Sequence, residues 1–382
     1  RVCHTNNCPV GITSQKEKLR EKFTGVPEQI VDFFLFIAEE VRMTLAQLGY
    51  SSLHEVLGRA ELLKVKPDVK PHKVEQVNLD FLLEKAEFSS LTKNSKNSEA
   101  WRLPQVAPHG DIRGLNDHIL ADAEVQAAIA EHGDVVKAYA IKNTDRSVGA
   151  RIGGTLAKLY GDTGFKGRIA LRFKGSAGQS FGAFIVDNIK LTLTGEANDY
   201  VGKGMSGGTI VIKFPQTAPI YKHSWQNVIA GNTCLYGATG GYLYCAGQAG
   251  ERFAVRNSGA VAVVEGSGDH CCEYMTGGAV AVLGPVGRNF AAGMTGGLAY
   301  VLDSDTNFRA NYCGEADKRL SGVTGPAAAY LRQLIEQHHQ ATASQRALDI
   351  LQNWEAYLPQ FLLVVPIGEE DNQLLKASDD LL

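Results

Sequence analysis

Between Gly207 and Gly297 the chain repeats itself, and no other feature restricts its fold as much. Glycine pairs followed by β-branched, aromatic or alanine-rich runs stand at Gly207-Gly208, Gly240-Gly241, Gly277-Gly278 and Gly296-Gly297. Met205-Ser206-Gly207-Gly208-Thr209-Ile210-Val211-Ile212 and Met275-Thr276-Gly277-Gly278-Ala279-Val280-Ala281-Val282 follow one pattern, and Asn257-Ser258-Gly259-Ala260-Val261-Ala262-Val263-Val264 falls in register with a single glycine. From Gly241 onward the spacing is about 18–19 residues, and the interval of 33 between the first two pairs reads as two shortened turns. Fixed self-similarity marks a solenoid, whose units bury their apolar faces on one another. The period is too short for helix-pair repeats of ~34 residues or more. It suits one coil of a parallel β-helix, with glycine supplying φ > 0 at each corner and Ala, Val and Ile stacking inside. With strands ~4.8 Å apart, roughly seven coils make a stack on the order of 35 Å long.

Helical patterns flank the repeat. Pro27 sits where a first helical turn tolerates it, and Ile30, Phe33, Phe34, Ile37, Val41, Leu45 and Leu48 recur at three- and four-residue steps, with Gly49 as the stop. A short helix over Ser52 to Leu57 is expected next. Two such helices cannot form a stable unit alone and must pack on something else. From Val65 to about Gly114 periodicity dissolves among Pro67, Pro71, Pro104 and Pro108, which reads as a connector. Asn116 is a candidate cap for a helix running to about Glu131, Val135 to Lys142 alternates like a strand, and Ser147 to Tyr160 reads as helical. Ala327 to Tyr357 is expected to be helical, with Leu331, Leu334, Ile335, Leu348, Leu351 and Trp354 facing inward, and to cap the stack. The expected divisions are 1–64, 65–114, 115–325 and 326–382.

Bulk properties exclude several functions. The net charge of −3 offers no basic surface for nucleic acid, and no apolar run approaches the ~20 residues needed to cross a bilayer. Phe361-Leu362-Leu363-Val364-Val365 is too short and reads as a buried or docking segment. Seven cysteines at irregular spacing form no secreted disulfide framework, and a reducing compartment fits them.

The chemistry concentrates at the start. In Arg1-Val2-Cys3-His4-Thr5-Asn6-Asn7-Cys8-Pro9-Val10-Gly11 two cysteines separated by four residues are closed by a proline, as in an iron–sulfur ligand set. The next cysteine is Cys234. Either a further ligand lies upstream of Arg1 or the pair does nothing with metal; reducing conditions argue against a disulfide. Without an initiator Met, the chain is expected to be a C-terminal piece of a longer protein. Cys271-Cys272 invites a redox reading but reads better as incidental, and Cys234, Cys245 and Cys313 as small buried hydrophobes. Gly175-Ser176-Ala177-Gly178-Gln179-Ser180-Phe181-Gly182 lacks the Gly-Lys-Ser/Thr ending of a phosphate loop and is expected to be a corner. His338-His339 is expected on a solvated helix face.

The Cys3–Gly11 block, Phe36-Ile37-Ala38-Glu39-Glu40-Val41-Arg42, Asn198-Asp199-Tyr200-Val201-Gly202-Lys203-Gly204-Met205-Ser206-Gly207-Gly208 and Gly247-Gln248-Ala249-Gly250-Glu251-Arg252-Phe253-Ala254-Val255-Arg256-Asn257-Ser258-Gly259 resemble the large chain of glutamate synthase. The resemblance implies a glutaminase domain, an FMN-binding (β/α)8 barrel and a C-terminal right-handed β-helix. Ammonia from glutamine condenses with 2-oxoglutarate, and reduced FMN makes glutamate. It further implies a [3Fe-4S] cluster with Cys3 and Cys8 as two of three ligands, the third lying six positions before Cys3. On this reading residues 1–64 end the barrel, 65–114 connect, 115–325 form the β-helix with its leading helices, and 326–382 are C-terminal helices and tail. The partners implied are the rest of the synthase chain and an electron donor, either ferredoxin or an NAD(P)H-oxidising subunit; the implied location is the bacterial cytoplasm or the plastid stroma. The Cys3–Gly11 block and Trp354-Glu355-Ala356-Tyr357-Leu358-Pro359 resemble the ferredoxin-dependent type. The alternative is a non-catalytic β-helix scaffold in another multidomain oxidoreductase, which residues 1–64 weigh against.

Overall fold

The computed structural model describes residues 12, 17–64, 83, 114–218, 220–312, 318–369 and 372. The chain divides into two units, Arg1–Ile112 and Arg113–Leu382.

In the first unit, helix α1 spans Pro27–Gln47. Its end is a Schellman closure: Gly49 at φ +82° donates to the Ala46 carbonyl at 3.1 Å, and Tyr50 donates to Leu45 at 2.9 Å. The short helix expected over Ser52 to Leu57 is only a 3-10 turn at Leu53–Glu55. The Glu55 carboxylate explains the tight winding, because it accepts from the Ser51 amide and the Ser52 hydroxyl, both at 3.2 Å. Most of the expected connector lies outside the described residues.

The second unit is mixed α/β, built on one large and mostly parallel sheet. Strands β1 (Asp134–Ile141), β2 (Arg168–Ala177), β3 (Ile189–Ala197), β4 (Thr209–Lys213), β5 (Val228–Ala230), β6 (Tyr242–Ala246), β7 (Gln248–Ala249), β8 (Ser258–Val264), β9 (Thr276–Val282) and β10 (Gly296–Leu302) follow in chain order. The main ladder runs β1-β2-β3-β4-β6-β8-β9-β10, every pair parallel. Its register makes columns of like residues. Leu171, Leu191, Ile210, Leu243, Ala262, Val280 and Ala299 stand side by side, and so do Phe173, Leu193, Ile212, Cys245, Val264, Val282 and Val301. All fourteen are buried. Burying a large aliphatic side chain stabilises by roughly 1.5–3 kcal/mol, and a one-residue slip would turn each column to the opposite face.

Two further rows of contacts join successive repeats. Parallel bridges run Ala197, Ala230, Ala249, Ser267 and Val286. At a second corner the amides of Ser180, Tyr200, Thr233, Arg252 and His270 donate to the carbonyls of Asp199, Asn232, Glu251, Asp269 and Arg288, each at 2.8 Å. Glycine was expected at every corner, yet these five non-glycine donors all lie in the left-handed region, at φ 60° to 65°. The repeated inter-coil hydrogen bond offsets a cost of roughly 1–2 kcal/mol per residue. Glycine is required at Gly278 (φ +81°), where a Cβ would run into the backbone of Gly259 and Ala260 in the preceding repeat.

The 33-residue interval is one repeat with an excursion. Strand β4 pairs directly with β6, Thr209 facing Tyr242, and residues 214–227 loop out with a 3-10 segment at Tyr221–Gln226. The helix expected from Asn116 is also two: α2 (Leu115–Ala121) and α3 (Ala123–Glu131). Asp122, extended at ψ 122°, caps α3 by accepting from the amides of Glu124 and Val125. Asn116 instead bridges a turn, donating to the Ser147 carbonyl and accepting from the Gly149 amide, both at 3.1 Å. Helix α4 then spans Ala150–Tyr160.

The far end of the sheet closes with antiparallel strands. Phe361-Leu362-Leu363-Val364-Val365 lies in β12 (Phe361–Pro366), which pairs with β10, and β11 (Lys318–Gly322) pairs with β12. Helices α5 (Gly325–Thr342) and α6 (Gln345–Gln352) pack on the outer face of the later strands, where Val211, Tyr244, Val263, Ala281 and Tyr300 form a second core with Leu331, Leu334, Ile335 and Ile350. The predicted continuous helix breaks at Ala343 (φ +59°), and Ser344 caps α6 by accepting from Ala347 at 3.0 Å. That break rotates α6, so Ala347 and Ile350 are buried while Leu348 and Leu351 are half-buried.

Candidate functional site

Cys3 and Cys8, the residues marked for a metal cluster, lie outside the described residues, as does Cys313. Among the described residues no group of His, Cys, Asp and Glu is arranged to hold a metal ion. The four described cysteines are fully buried. Burial pushes the Cys234 thiol up to about 12 and raises Cys245 and Cys272 as well, so these thiols lack the thiolate character that a metal ligand or redox pair needs. Cys271 and Cys272 are packed into the interior core with their sulfurs 3.8 Å apart. The Gly175–Gly182 segment is a corner as expected: β2 ends at Ala177, and Gly178 sits against the carbonyls of Asn143 and Asp145. No helix in the described residues is long and apolar enough to cross a membrane.

Two features stand out from this inert interior. The first is α1, whose apolar face is largely uncovered among the described residues of its unit. Ile30, Phe33, Phe34 and Leu48 are each 60% exposed or more, and the helix has no buried residue. Ile37, Val41, Leu45 and Leu48 line an apolar groove of about 810 Å³ together with Leu53, Val56, Leu62 and Leu63. Exposed apolar surface on this scale marks a contact face.

The second is a polar cluster in the interior of the other unit. Glu265, at 0% exposure, follows β8 directly. One carboxylate oxygen accepts from Ser224 at 3.1 Å; the other lies 3.2 Å from His338 Nε2 and accepts from the Ser344 hydroxyl. His338 is equally buried, and its Nδ1 has no partner. The solvated face expected for His338 is therefore wrong, although His339 is only half-buried. The helical spacing Leu331, Leu334, Ile335, His338, Thr342 carried the signal, since it puts His338 on the apolar stripe. Around the cluster the excursion is fastened to the C-terminal helices. Tyr221 donates to the Ala343 carbonyl at 2.8 Å, and the Arg346 guanidinium stacks on Trp225 at 4.8 Å. Ser224, Ser344 and His338 Nε2 converge on the buried Glu265, and the cluster holds structure together.

A glycine-rich parallel repeat that follows a Cys-Pro block is a specific combination. The family model for the GXGXG motif matches residues 116–367, two-thirds of the chain. The chain belongs to the GXGXG-motif family. A second model, for the conserved region in glutamate synthase, matches residues 1–51. The chain is 52% identical over 97% of its length to ferredoxin-dependent glutamate synthase of Pyropia yezoensis, and 52% identical over 97% to ferredoxin-dependent glutamate synthase 2 of Synechocystis sp.. It is 52% identical over 99% to ferredoxin-dependent glutamate synthase 1, chloroplastic/mitochondrial, of Arabidopsis thaliana. The chain spans 23% of the length of each of these relatives, and it corresponds to a segment of glutamate synthase.

Proposed function

We propose that this segment serves a ferredoxin-dependent glutamate synthase, which makes L-glutamate from glutamine-derived ammonia and 2-oxoglutarate. The observation that carries the reading is the 52% identity over 97–99% of the chain to relatives named for that activity. Residues 1–64 end the FMN barrel, and the apolar face of α1 packs on its remainder; the exposure of that face supports this. Residues 65–114 connect, 115–325 form a right-handed parallel β-helix, and 326–382 supply the helices packed on its outer face and the tail. Three rows of inter-repeat hydrogen bonding support the β-helix reading.

Cys3 and Cys8 would be two of the three ligands of a [3Fe-4S] cluster, which would supply the electron relay from ferredoxin to FMN when bound. The described cysteines do not fit such a group, because all four are fully buried. The β-helix has no reacting group of its own and keeps the synthase and glutaminase domains in register. Relatives named chloroplastic support a location in the plastid stroma or, in bacteria, the cytoplasm. The test is glutamate formation by the intact protein from glutamine and 2-oxoglutarate, with reduced ferredoxin or NADPH as donor. Turnover with ferredoxin and none with NADPH is expected. Turnover with NADPH alone would overturn the choice of donor, and none with either would overturn the function.

A further inference from the structure

Ahead of the helical cover, the outer face of β2, β3 and the end of β4 gathers cations that have no partners. Register places Lys174, Thr194 and Lys213 side by side in one row, with Arg172 two residues back on β2 and Lys190 on the row behind that. The row continues into Ala140 on β1 and Ala246 on β6, so no carboxylate stands beside either lysine. With strands ~4.8 Å apart, the two lysine Cα atoms are roughly 10 Å apart, and both ammonium groups can meet above the Thr194 hydroxyl. Among the described residues no acidic side chain pairs with Arg172, Lys174, Lys190 or Lys213. On this face Glu196, two residues beyond Thr194, accepts from the Ser176 hydroxyl at 3.0 Å. Phe214, Pro215 and Gln216, the start of the excursion, wall one side of an open pocket of about 510 Å³, lined also by the exposed Arg172 and Lys174 and by Thr194 and Lys213. Burial, then Lys190 and Arg172, hold the half-buried Lys213 amine below its ordinary value. Like charges gathered without a counterion raise the energy of the folded state; a multivalent anion would relieve it.

We propose that this pocket is a binding site for a dianionic phosphate group. Lys174 and Lys213 grip it from two sides, Arg172 from a third, and the Thr194 hydroxyl donates from below. Charge-assisted donors of this kind make the stronger hydrogen bonds to oxyanions, and three cations match a dianion better than a single carboxylate. Inorganic phosphate and a small phosphate ester share this chemistry. The site is independent of the glutamate synthase reading and uses no residue named there.

The experiment is calorimetric titration of the intact protein at low ionic strength, with inorganic phosphate and with glycerol 3-phosphate, in wild type and in Lys213→Met, Lys174→Met and Lys158→Met. Lys158 is an exposed lysine on α4 and serves as the control. Either phosphate is expected to bind with a Kd at least tenfold weaker in the Lys213 and Lys174 variants and unchanged in Lys158→Met. Tighter binding of the ester identifies an organic phosphate whose remainder lies against Phe214 and Pro215; tighter binding of the free ion identifies phosphate itself. Without phosphate, Lys213→Met should melt no lower than wild type, because it removes a repelled cation, and this separates lost binding from lost folding. Titrations that do not distinguish the two variants from wild type, or an equal loss in Lys158→Met, would overturn the proposal.

Discussion

Replacing His338 by Leu tests whether the buried Glu265 cluster fastens the excursion to the C-terminal helices. Leu fits the apolar stripe of α5, so the loss is confined to the donor at Nε2, 3.2 Å from Glu265. Glu265 then keeps only the hydroxyls of Ser224 and Ser344. The cost is about 3 kcal/mol, where the ranges for an orphaned buried polar group and a broken buried pair meet. Because Glu265 ties Ser224 of the excursion to Ser344 of the α5–α6 junction, the loss should appear as local opening. At 1.4 kcal/mol per decade, hydrogen-exchange protection at Tyr221–Gln226 and around Ser344 should fall roughly 100-fold. The β2–β3 ladder should be unchanged. Glu265→Gln, which keeps the shape and one acceptor oxygen, should cost less, with about a tenfold fall. Mass spectrometry on peptides of the intact protein gives the readout. A fall below threefold in His338→Leu, or one spread evenly over the sheet, would refute the reasoning.

Gly278→Ala should destabilise by more than 2 kcal/mol, through a strained φ and a clash with the neighbouring repeat, whereas Gly154→Ala, with open space beside it in α4, should be neutral or gain up to about 1 kcal/mol; denaturant midpoints compare the two. Asp122 is held below the ordinary carboxylate range by its hydrogen bond to Lys137 and by the amides it caps. Its contribution is therefore complete above the unfolded value of ~3.9 and lost as pH falls through the lower folded value. Exchange at the start of α3, corrected for intrinsic rates, should rise below about pH 4 in wild type and lose that dependence in Asp122→Asn. Maleimide should label none of Cys234, Cys245, Cys271 and Cys272 in the native protein and all four after denaturation, as read by peptide mass spectrometry; native labelling of Cys271 or Cys272 would revive the redox reading.

Legibility in the sequence followed the length over which a pattern repeats. The glycine phrases recur often enough to specify strands β8, β9 and β10. The interval between Gly208 and Gly241 misled because a single excursion has no period, and nothing in residues 214–227 separates an insertion from two short coils. The helix ends failed for a local reason: Asp122 and Ser344 are good caps inside stretches that stay apolar on both sides. His338 was misplaced because its charge outweighed its position on the stripe, and its partner Glu265 lies 73 residues away. The cations around Thr194 were invisible as a group, since only parallel register brings Lys174 and Lys213 into one row. The Cys3–Cys8 pair stood out by its spacing together with Pro9, and its ligand role came from the resemblance of the Cys3–Gly11 block.

That pair is also where the account is tested most directly. Iron and sulfide analysis with low-temperature EPR should be run on the intact protein and on its Cys8→Ala variant. A three-iron signal in the wild type that disappears in the variant, together with about one cluster per chain before and none after, is the predicted result. Wild-type protein without cluster iron, or a signal that survives the loss of Cys8, would contradict the assignment of this chain to the electron path of a glutamate synthase.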